Sequence, residues 1–316
     1  MWSMGLRWDP AAGDPTVHAL HRALRSRNWA EARRVVDATP GDERIALIDG
    51  FAYLPNAYAL ASGWVAAESH DRLPALVQGA AGVRWAWEAR GARVAKLTRQ
   101  SQFEEFHRRL ALVERTLWEV VADDEDDPAP WTFLVKSARG SRADRGEAQR
   151  RFVGATRHAP FNTVAHAHML QYRCRKWFGS HEEMFVFARS ATRTAPAGSL
   201  LPVLVALAHS ERWVSSGGEE VWNYMRAPEV RAELRAAAER SIWHADHRHS
   251  IGWPRAWNSF ALAFSVARDW PSAARVFDGL GNRVTDDWHY VLGPARLRFR
   301  LARRKAYANR DLPVAA

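Results

Sequence analysis

Apolar residues recur at intervals of three and four along most of the chain, with polar residues between them. In residues 162–196 two such patterns meet at Gly179 and Ser180. Gly179 predicts the end of one helix, because glycine adopts a left-handed conformation without a steric penalty. Ser180 predicts the start of the next, since its hydroxyl can accept from the Glu183 amide while the Glu183 carboxylate reaches back. We therefore expect two helices joined by a tight turn.

The same periodicity predicts helices along the rest of the chain. Val17, Leu20 and Leu24 are spaced by three and four, which places them on one helical face. Residues 101–122 carry a longer amphipathic pattern. No stretch alternates between apolar and polar residues over a sustained length, so we expect almost no β-sheet. The predicted fold class is all-α.

Two segments far apart in the chain share one pattern of residues. Residues 28–39 read NWAEARRVVDAT, and residues 269–280 read DWPSAARVFDGL. Each has a capping residue, then an aromatic residue, a small residue and two large apolar residues. The matched pairs are Asn28 with Asp269, Trp29 with Trp270, Ala32 with Ala273, Val35 with Val276, and Val36 with Phe277.

This order resembles the second helix of a tetratricopeptide repeat. The resemblance implies a right-handed solenoid of helical hairpins, in which the small residue lets the paired helix approach. The helix after Ser180 carries part of the same pattern, with Glu183 matching Glu31 and Phe187 matching Val35. The first-helix signature of that family, Trp-x-x-Leu-Gly, is absent, and the spacing between the three copies is irregular. We therefore expect irregular repeats.

A second resemblance involves three phrases in the middle of the chain. Residues 126–131 read DDPAPW, residues 137–140 read SARG, and residues 176–189 read KWFGSHEEMFVFAR. Together they are similar to a bacterial family catalogued only as a domain of unknown function. That resemblance implies a helical-repeat fold. The family has no known catalytic residues to transfer to this chain.

An acidic segment is the best candidate for a domain boundary. Residues 123–127 are all acidic, and Pro128 and Pro130 follow them. This composition predicts a linker over residues 123–130, between helical-repeat segments at residues 1–122 and 131–316. The alternative is one continuous solenoid, since each repeat in such an array needs only its neighbours.

Composition indicates a cytoplasmic protein without a membrane span. Cys174 is the single cysteine, so no intrachain disulfide can form, which fits a reducing compartment. The first residues lack the basic and apolar regions of a signal peptide. The longest uncharged run, residues 50–67, contains Pro55 and Asn56, which favours a buried helix over a membrane helix.

Sequence motifs for catalysis are few. The chain has no phosphate-binding loop, no Gly-x-Gly-x-x-Gly and no Gly-x-Ser-x-Gly. These absences favour a non-enzymatic role, and no cofactor is expected. His244, His247 and His249 are candidate metal ligands, because imidazoles so close together suit a transition metal. The alternative is a helix C-terminus, where histidine is favoured by the exposed carbonyl groups.

Other polar and aromatic residues are candidates for ligand binding. His166 and His168 differ by about 200° around a helix, so one should pack inward. His209 and Glu211 can contribute to a polar patch in a groove, and a placement on the surface is equally compatible with the pattern. Tryptophans within residues 243–257 make that region a candidate small-molecule site. The full set of candidate binding residues is His166, His168, His209, Glu211, Trp253, Trp257, Arg296, Arg300 and Arg303.

The last helical pattern of the chain has a basic face. Arg296, Arg300 and Arg303 are spaced by four and three, so they share one side of the helix. Leu297, Leu301 and Ala308 are on another side, where we expect them to dock on the preceding repeat. The basic stripe is either the solvated face of a terminal capping helix, which a solenoid needs for solubility, or a site for an acidic partner. Arginine suits the second role because it can make paired hydrogen bonds to carboxylate or phosphate.

Three functions are compatible with these observations. The first is a scaffold that binds a protein or peptide in a concave groove. The second is an enzyme or a protein that binds a small molecule or metal through residues 243–257. The third is nucleic-acid binding, because Lys and Arg total 45 against 35 acidic residues and the net charge is +10. The expected partner is a protein or peptide, with a polyanion as the alternative. The sequence leaves the oligomeric state open.

Overall fold

The structure is a computed structural model that describes residues 6–91, 98–215, 220–291 and 293–311. Sixteen α-helices account for most of these described residues, and the only strands among them are two pairs of residues. The expected all-α fold is confirmed. Contacts divide the chain into two compact units. We call Asp14–Tyr172 the N-terminal unit, and Met1–Gly13 with Arg173–Ala316 the C-terminal unit.

The N-terminal unit contains nine helices among its described residues, and most consecutive helices pack against each other. They are α1 Pro15–Arg25, α2 Trp29–Asp37, α3 Gly41–Phe51, α4 Ala57–Ala67, α5 Arg72–Arg90, α6 Gln100–Asp123, α7 Pro128–Ser141, α8 Arg145–Arg157 and α9 Thr163–Tyr172. The most extensive helix pair is α5 with α6. Helix α5 has glycines, Gly79 and Gly82, at the positions where Leu117 and Val113 of α6 approach it. The two helix axes can therefore lie close together.

The acidic segment forms a packed turn between α6 and α7. Arg72 donates to Asp124 Oδ2 and to Asp127 Oδ2, each at 2.8 Å, and Arg44 also pairs with Asp127. Asp127 in addition accepts from the Ala129 amide and so caps α7. These contacts hold the turn against other helices of the N-terminal unit. The predicted separation into residues 1–122 and 131–316 as independent segments stays a prediction.

The C-terminal unit contains seven helices among its described residues. They are α10 His181–Thr194, α11 Val203–Ser215, α12 Glu220–Arg226, α13 Pro228–Arg240, α14 Trp253–Ala267, α15 Trp270–Leu280 and α16 Ala295–Ala308. A short 3₁₀ helix, Asp286–Tyr290, precedes α16. The strands β1 Arg7–Trp8 and β2 Arg283–Val284 pair in parallel, with Arg7 opposite Arg283.

The two copies of the repeated pattern form α2 and α15. Asn28 accepts from the Glu31 amide at 3.0 Å, and Asp269 accepts from the Ser272 amide at 3.4 Å. Both predicted caps are therefore confirmed. Ala32 and Ala273 are fully buried, and α2 and α15 pack against α1 and α14, the helices that precede them. The small residue thus lies in the packed face of each helix, as the pattern predicted.

The central turn differs from the predicted one. Helix α9 ends at Tyr172, so residues 173–180 form a longer connection to α10 than expected. Gly179 is not in the left-handed region, so that part of the prediction is wrong. Glycine is required there for another reason, since a Cβ atom would lie 2.2 Å from the carbonyl oxygen of Arg173. Ser180 does cap α10, accepting from the Glu183 amide at 3.1 Å.

This geometry ranks two substitutions in the turn. We expect Gly179→Ala to destabilise the C-terminal unit more than Ser180→Ala, whose lost cap costs about 1 kcal/mol. A Cβ atom at Gly179 meets backbone, which cannot move aside as the end of a side chain can. Equilibrium urea unfolding of both variants measures the order. A Gly179→Ala protein as stable as the parent would show that the turn is not packed this closely.

The longest uncharged run of the chain does not form a single helix. The uncharged residues 50–67 are divided, because α3 ends at Phe51 and α4 begins at Ala57. Among the described residues, none of the helices combines the length and apolar character needed to cross a lipid bilayer. Residues 1–5, part of the segment in which the sequence predicts no signal peptide, lie outside the described residues.

Candidate functional site

Helix α11 carries two of the predicted binding residues, His209 and Glu211, and both are buried. Because they are two positions apart, their side chains leave the helix in nearly opposite directions. Each joins a separate polar cluster in the C-terminal unit. The predicted single patch formed by both residues is therefore not what the structure shows.

The first group, the His209 cluster, is a chain of four side chains from four helices. The Tyr224 hydroxyl lies 2.5 Å from His209 Nδ1, and His209 Nε2 lies 3.1 Å from Glu233 Oε2. Arg189 donates two parallel hydrogen bonds to Glu233, at 2.7 and 2.9 Å. Since the carboxylate can only accept, Nε2 carries the proton and Nδ1 accepts from Tyr224. Both nitrogens of this buried imidazole are thus used within the protein.

The charges of the His209 cluster follow from these contacts. Hydrogen bonds from Arg189 and His209 lower the pKa of Glu233 to about 2, so its carboxylate is ionised at neutral pH. Burial raises the pKa of Tyr224 well above its ordinary value, so its hydroxyl remains a neutral donor. A phenol with a raised pKa is a poor nucleophile. The cluster is therefore suited to connecting α10, α11, α12 and α13.

The depressed pKa of Glu233 gives a pH-dependent stability. A carboxyl group with a lower pKa in the folded state stabilises the fold above its unfolded pKa of about 4.3. That contribution is lost as the pH falls from about 5 towards 2. We expect Glu233→Gln to be less stable than the parent at pH 7, with the difference shrinking over this range. Urea unfolding at several pH values measures it.

A matched control for this experiment is available in the N-terminal unit. Glu119 is exposed on α6 and makes no ion pair or side-chain hydrogen bond among the described residues. Glu119→Gln should therefore follow the parent at every pH. If Glu233→Gln and Glu119→Gln give the same pH profile, the His209 cluster does not contribute to acid stability.

The second group, the Glu211 cluster, involves the connection before α10. Tyr290 donates to Glu211 Oε1 at 2.5 Å, and Lys176 Nζ lies 2.7 Å from Glu211 Oε2. Glu211 is buried, whereas 43% of the Lys176 side chain is exposed. Burial and the Glu211 carboxylate raise the pKa of Tyr290 well above its ordinary value. Both oxygens of Glu211 thus accept hydrogen bonds from the protein's own donors, which disfavours a role as an open catalytic base.

A further carboxyl group lies in the same 3₁₀ helix as Tyr290. Ser259 donates to Asp287 Oδ1 at 2.5 Å, and Thr285 donates to Asp287 Oδ2 at 2.6 Å. Burial raises the pKa of Asp287 despite these hydrogen bonds. The neighbouring Trp288 donates to Asn258 at 2.8 Å. These bonds attach the 3₁₀ helix to α14.

The Trp- and His-rich region, residues 243–257, is held together by contacts among its own rings and with the Gly198 carbonyl group. His247 Nδ1 lies 2.9 Å from the Gly198 carbonyl oxygen, and Trp257 Nε1 lies 3.3 Å from His247 Nε2. His249 stacks on Trp253, with ring centroids 3.8 Å apart and planes within 3°. Trp257 is buried. The region therefore resembles a small aromatic core more than an open small-molecule site.

These contacts also bear on the predicted metal ligands. Both nitrogens of His247 are already hydrogen-bonded, and His244 Nδ1 faces the Asp246 amide at 3.2 Å. Burial lowers the pKa of His249, with His247 and Arg283 nearby adding to the effect. Within the part of the chain that the structure describes, no group of three His, Cys, Asp or Glu side chains is placed to hold a metal ion. The hypothesis for His244, His247 and His249 thus has no geometric support.

His166 and His168 lie in α9 and differ in burial. His166 is buried, its Nδ1 lies 2.8 Å from the Asn162 carbonyl oxygen, and the Phe152 ring packs edge-on against it. Burial lowers the pKa of His166, which favours the neutral imidazole. His168 is only half-buried. The expectation that one of the two packs inward agrees with this arrangement.

The predicted basic stripe is divided on α16. Arg303 donates to the Gly281 carbonyl oxygen at 3.0 Å and to Asn282 Oδ1 at 2.8 Å, so it attaches α16 to the end of α15. Arg296 and Arg300 are exposed. A ligand can therefore reach Arg296 and Arg300, while Arg303 already has structural hydrogen bonds.

The apolar side of α16 is not the predicted one. Phe299, Ala306 and Ala295 are buried against the C-terminal unit. Leu297, Leu301 and Ala308 are exposed, so the expectation that they dock on the preceding repeat is wrong. The error arises because Phe299 and the alanines form a second apolar row. The larger ring in that row fills the core beside Trp288 and Phe277.

Several residues of these clusters had no local signal in the sequence. Tyr290 and Glu211 are 79 positions apart, and Glu233 and Arg189 are 44 apart. Neither pair belongs to a motif of fixed spacing. Only the capped and periodic helices that carry these residues were predictable.

Comparisons with known proteins do not assign this chain to a family. No model of a known protein family, no curated protein and no solved structure matches this chain. The tetratricopeptide-like repeat, the resemblance to the bacterial family and the handedness of the helix array therefore stay proposals. What the structure establishes is an all-helical protein with packed neighbouring helices.

Proposed function

We propose that this protein is a binding scaffold of irregular, tetratricopeptide-like helical hairpins that recognises a protein or peptide partner. A right-handed array of such hairpins would offer a curved surface to an extended ligand. In support, the polar residues that suggested chemistry, His209, Glu211 and His247, are engaged by the protein's own groups. We place the scaffold in the cytoplasm. Cys174 is the single cysteine, so no intrachain disulfide can form, and a fold without disulfides suits a reducing compartment.

The observation that carries this proposal is the exposure of large apolar side chains on helices of the C-terminal unit. Val186 on α10 is 61% exposed, and Val214 on α11 is 47% exposed. On α16, Leu297 and Leu301 are 46% and 41% exposed. Single exposed apolar residues are ordinary, but two leucines one helical turn apart form a contiguous strip. Such a strip gains free energy when a partner covers it.

Photocrosslinking in the cells that produce the protein tests the proposal. A benzophenone amino acid would replace Val186 or Leu301, and a control would carry it at the exposed Glu119. We expect one recurrent protein adduct from Val186 or Leu301 that the control lacks. The purified partner should then bind the purified scaffold. The absence of a recurrent protein adduct at both positions would contradict the proposed function.

A further inference from the structure

The open face of α16 combines an apolar row with a basic border. Leu297 and Leu301 are separated by four positions, and Ala308 lies between them in projection along the helix axis. The opposite face, with Phe299 and Ala306, is fully buried. Helix α16 is therefore anchored by one face and presents the other to solvent.

Basic side chains lie on both sides of the leucine row. At about 100° per residue, Arg296, Arg300 and Arg304 lie along one side, and Lys305 lies along the other. All four are exposed, and α16 contains no acidic residue. Among the described residues, these four side chains make no ion pair or side-chain hydrogen bond. Within the part of the chain that the structure describes, this face thus has four cations without a paired acidic side chain, around an apolar strip.

We propose that this face of α16 binds an acidic amphipathic helix of a partner protein. The inference rests on the proposed scaffold function and specifies the partner's chemistry. Leucines at a spacing of four pack into the apolar stripe of a second helix, and acidic residues bordering that stripe then pair with the four cations. Ala308, in line with the leucines, lets a second helix approach closely. A second copy of α16 does not fit, because it would bring like charges together.

Other anionic ligands fit this face less well. A nucleic acid would use the cations but leave the leucines without a contact. Of the two aromatic residues of α16, Phe299 is buried, and Tyr307 is partly buried against the core, so neither offers an open ring to bases. A membrane surface requires a large apolar face that can insert. Here Phe299 is already packed inside the protein, Tyr307 is partly buried against the core, and two large aliphatic side chains, Leu297 and Leu301, remain exposed. The combination of a narrow strip and a basic border favours a helix of matching width.

The proposal can be tested with designed peptides and the full-length protein. The probe is a fluorescent helical peptide of about four turns, with leucines at intervals of three and four and glutamates elsewhere. Fluorescence anisotropy gives its dissociation constant. We expect saturable binding of the probe to the parent protein. The double variant Leu297→Ser/Leu301→Ser should weaken this binding about tenfold or more. The triple variant Arg296→Glu/Arg300→Glu/Arg304→Glu should weaken it to a similar extent. Circular dichroism and urea unfolding verify that each variant is folded.

Matched controls separate a docking face from general charge attraction. The control variant Arg25→Glu/Arg115→Glu/Arg175→Glu changes the net charge by the same amount as the α16 charge variant, at exposed positions outside α16. It should bind the probe as tightly as the parent does. A scrambled peptide of the same composition should bind at least about tenfold more weakly than the probe. Equal binding of both peptides, or an equal loss in both triple variants, would overturn the proposal.

Two further outcomes assign the face to another class of ligand. Binding to vesicles with anionic lipid or to single-stranded RNA, lost in the α16 charge variant, with no binding of the helical probe would overturn the proposal. The scaffold function is judged separately. A photocrosslinked partner at Val186 without probe binding at α16 would refute this inference alone, and the absence of any partner would refute the scaffold.

Discussion

Replacing Asp49 with leucine is expected to lower the free energy of unfolding of the N-terminal unit by about 3–5 kcal/mol. Asp49 in α3 accepts a hydrogen bond from Lys136 Nζ in α7 at 2.5 Å. The two side chains are only 12% and 4% exposed. The substitution removes the carboxylate that accepts a hydrogen bond from the buried Lys136 ammonium group. The Tyr53 ring, 4.7 Å from Nζ, offers a weaker attraction that cannot replace a full negative charge.

The partner substitution and the double variant show whether the two charges act as a pair. Lys136→Met alone should also cost several kcal/mol, because it removes the cation that pairs with the buried Asp49 carboxylate. The double variant should recover most of the loss, since an apolar pair of similar volume avoids both desolvation penalties. Urea unfolding gives the energies, and hydrogen exchange in α3 and α7 localises them. Additive losses in the double variant would show that the two residues are not coupled.

The Asp49–Lys136 pair also shows why much of the structure was not predictable. The two residues are 87 positions apart, and each is an ordinary surface residue when judged from its own neighbours in sequence. Their burial depends on how α3 and α7 pack, which is a property of the tertiary structure. The same applies to Glu211 with Tyr290 and to Glu233 with Arg189. A reading of local pattern cannot identify such partners.

Local features, in contrast, were predicted well. The caps at Asn28, Asp269 and Ser180 formed as expected, because a cap joins residues only two or three positions apart. Amphipathic periodicity likewise identified the all-α fold, because it depends on residues only three and four positions apart. It was less successful on α16, where two apolar rows compete. Periodicity alone could not decide that the Phe299 row is buried and the Leu297 row exposed.

Glycines within helices are a second case in which local preference and packing differ. Gly63 in α4 and Gly82 in α5 look equivalent in sequence, and alanine at either position should favour the helix by about 0.4–1 kcal/mol. At Gly63, a Cβ atom would find its nearest neighbour at 3.7 Å, the ring of Trp29. At Gly82 it would lie 2.2 Å from Val113 Cγ1 and 3.1 Å from the Tyr58 ring. The 3.7 Å distance at Gly63 is an ordinary van der Waals contact. At Gly82 the distance to Val113 is a steric clash, and the distance to the Tyr58 ring is a tight contact.

The two alanine substitutions should therefore have opposite signs. We expect Gly63→Ala to raise the free energy of unfolding by up to about 1 kcal/mol. Gly82→Ala should lower it by about 1–3 kcal/mol, because overpacking at α6 exceeds the gain in helix preference. Adding Val113→Ala to Gly82→Ala should restore part of the loss, since it removes the methyl group in conflict. Urea unfolding measures all three variants. If Gly82→Ala stabilises the protein as much as Gly63→Ala does, α5 and α6 are not in the close contact that the structure shows.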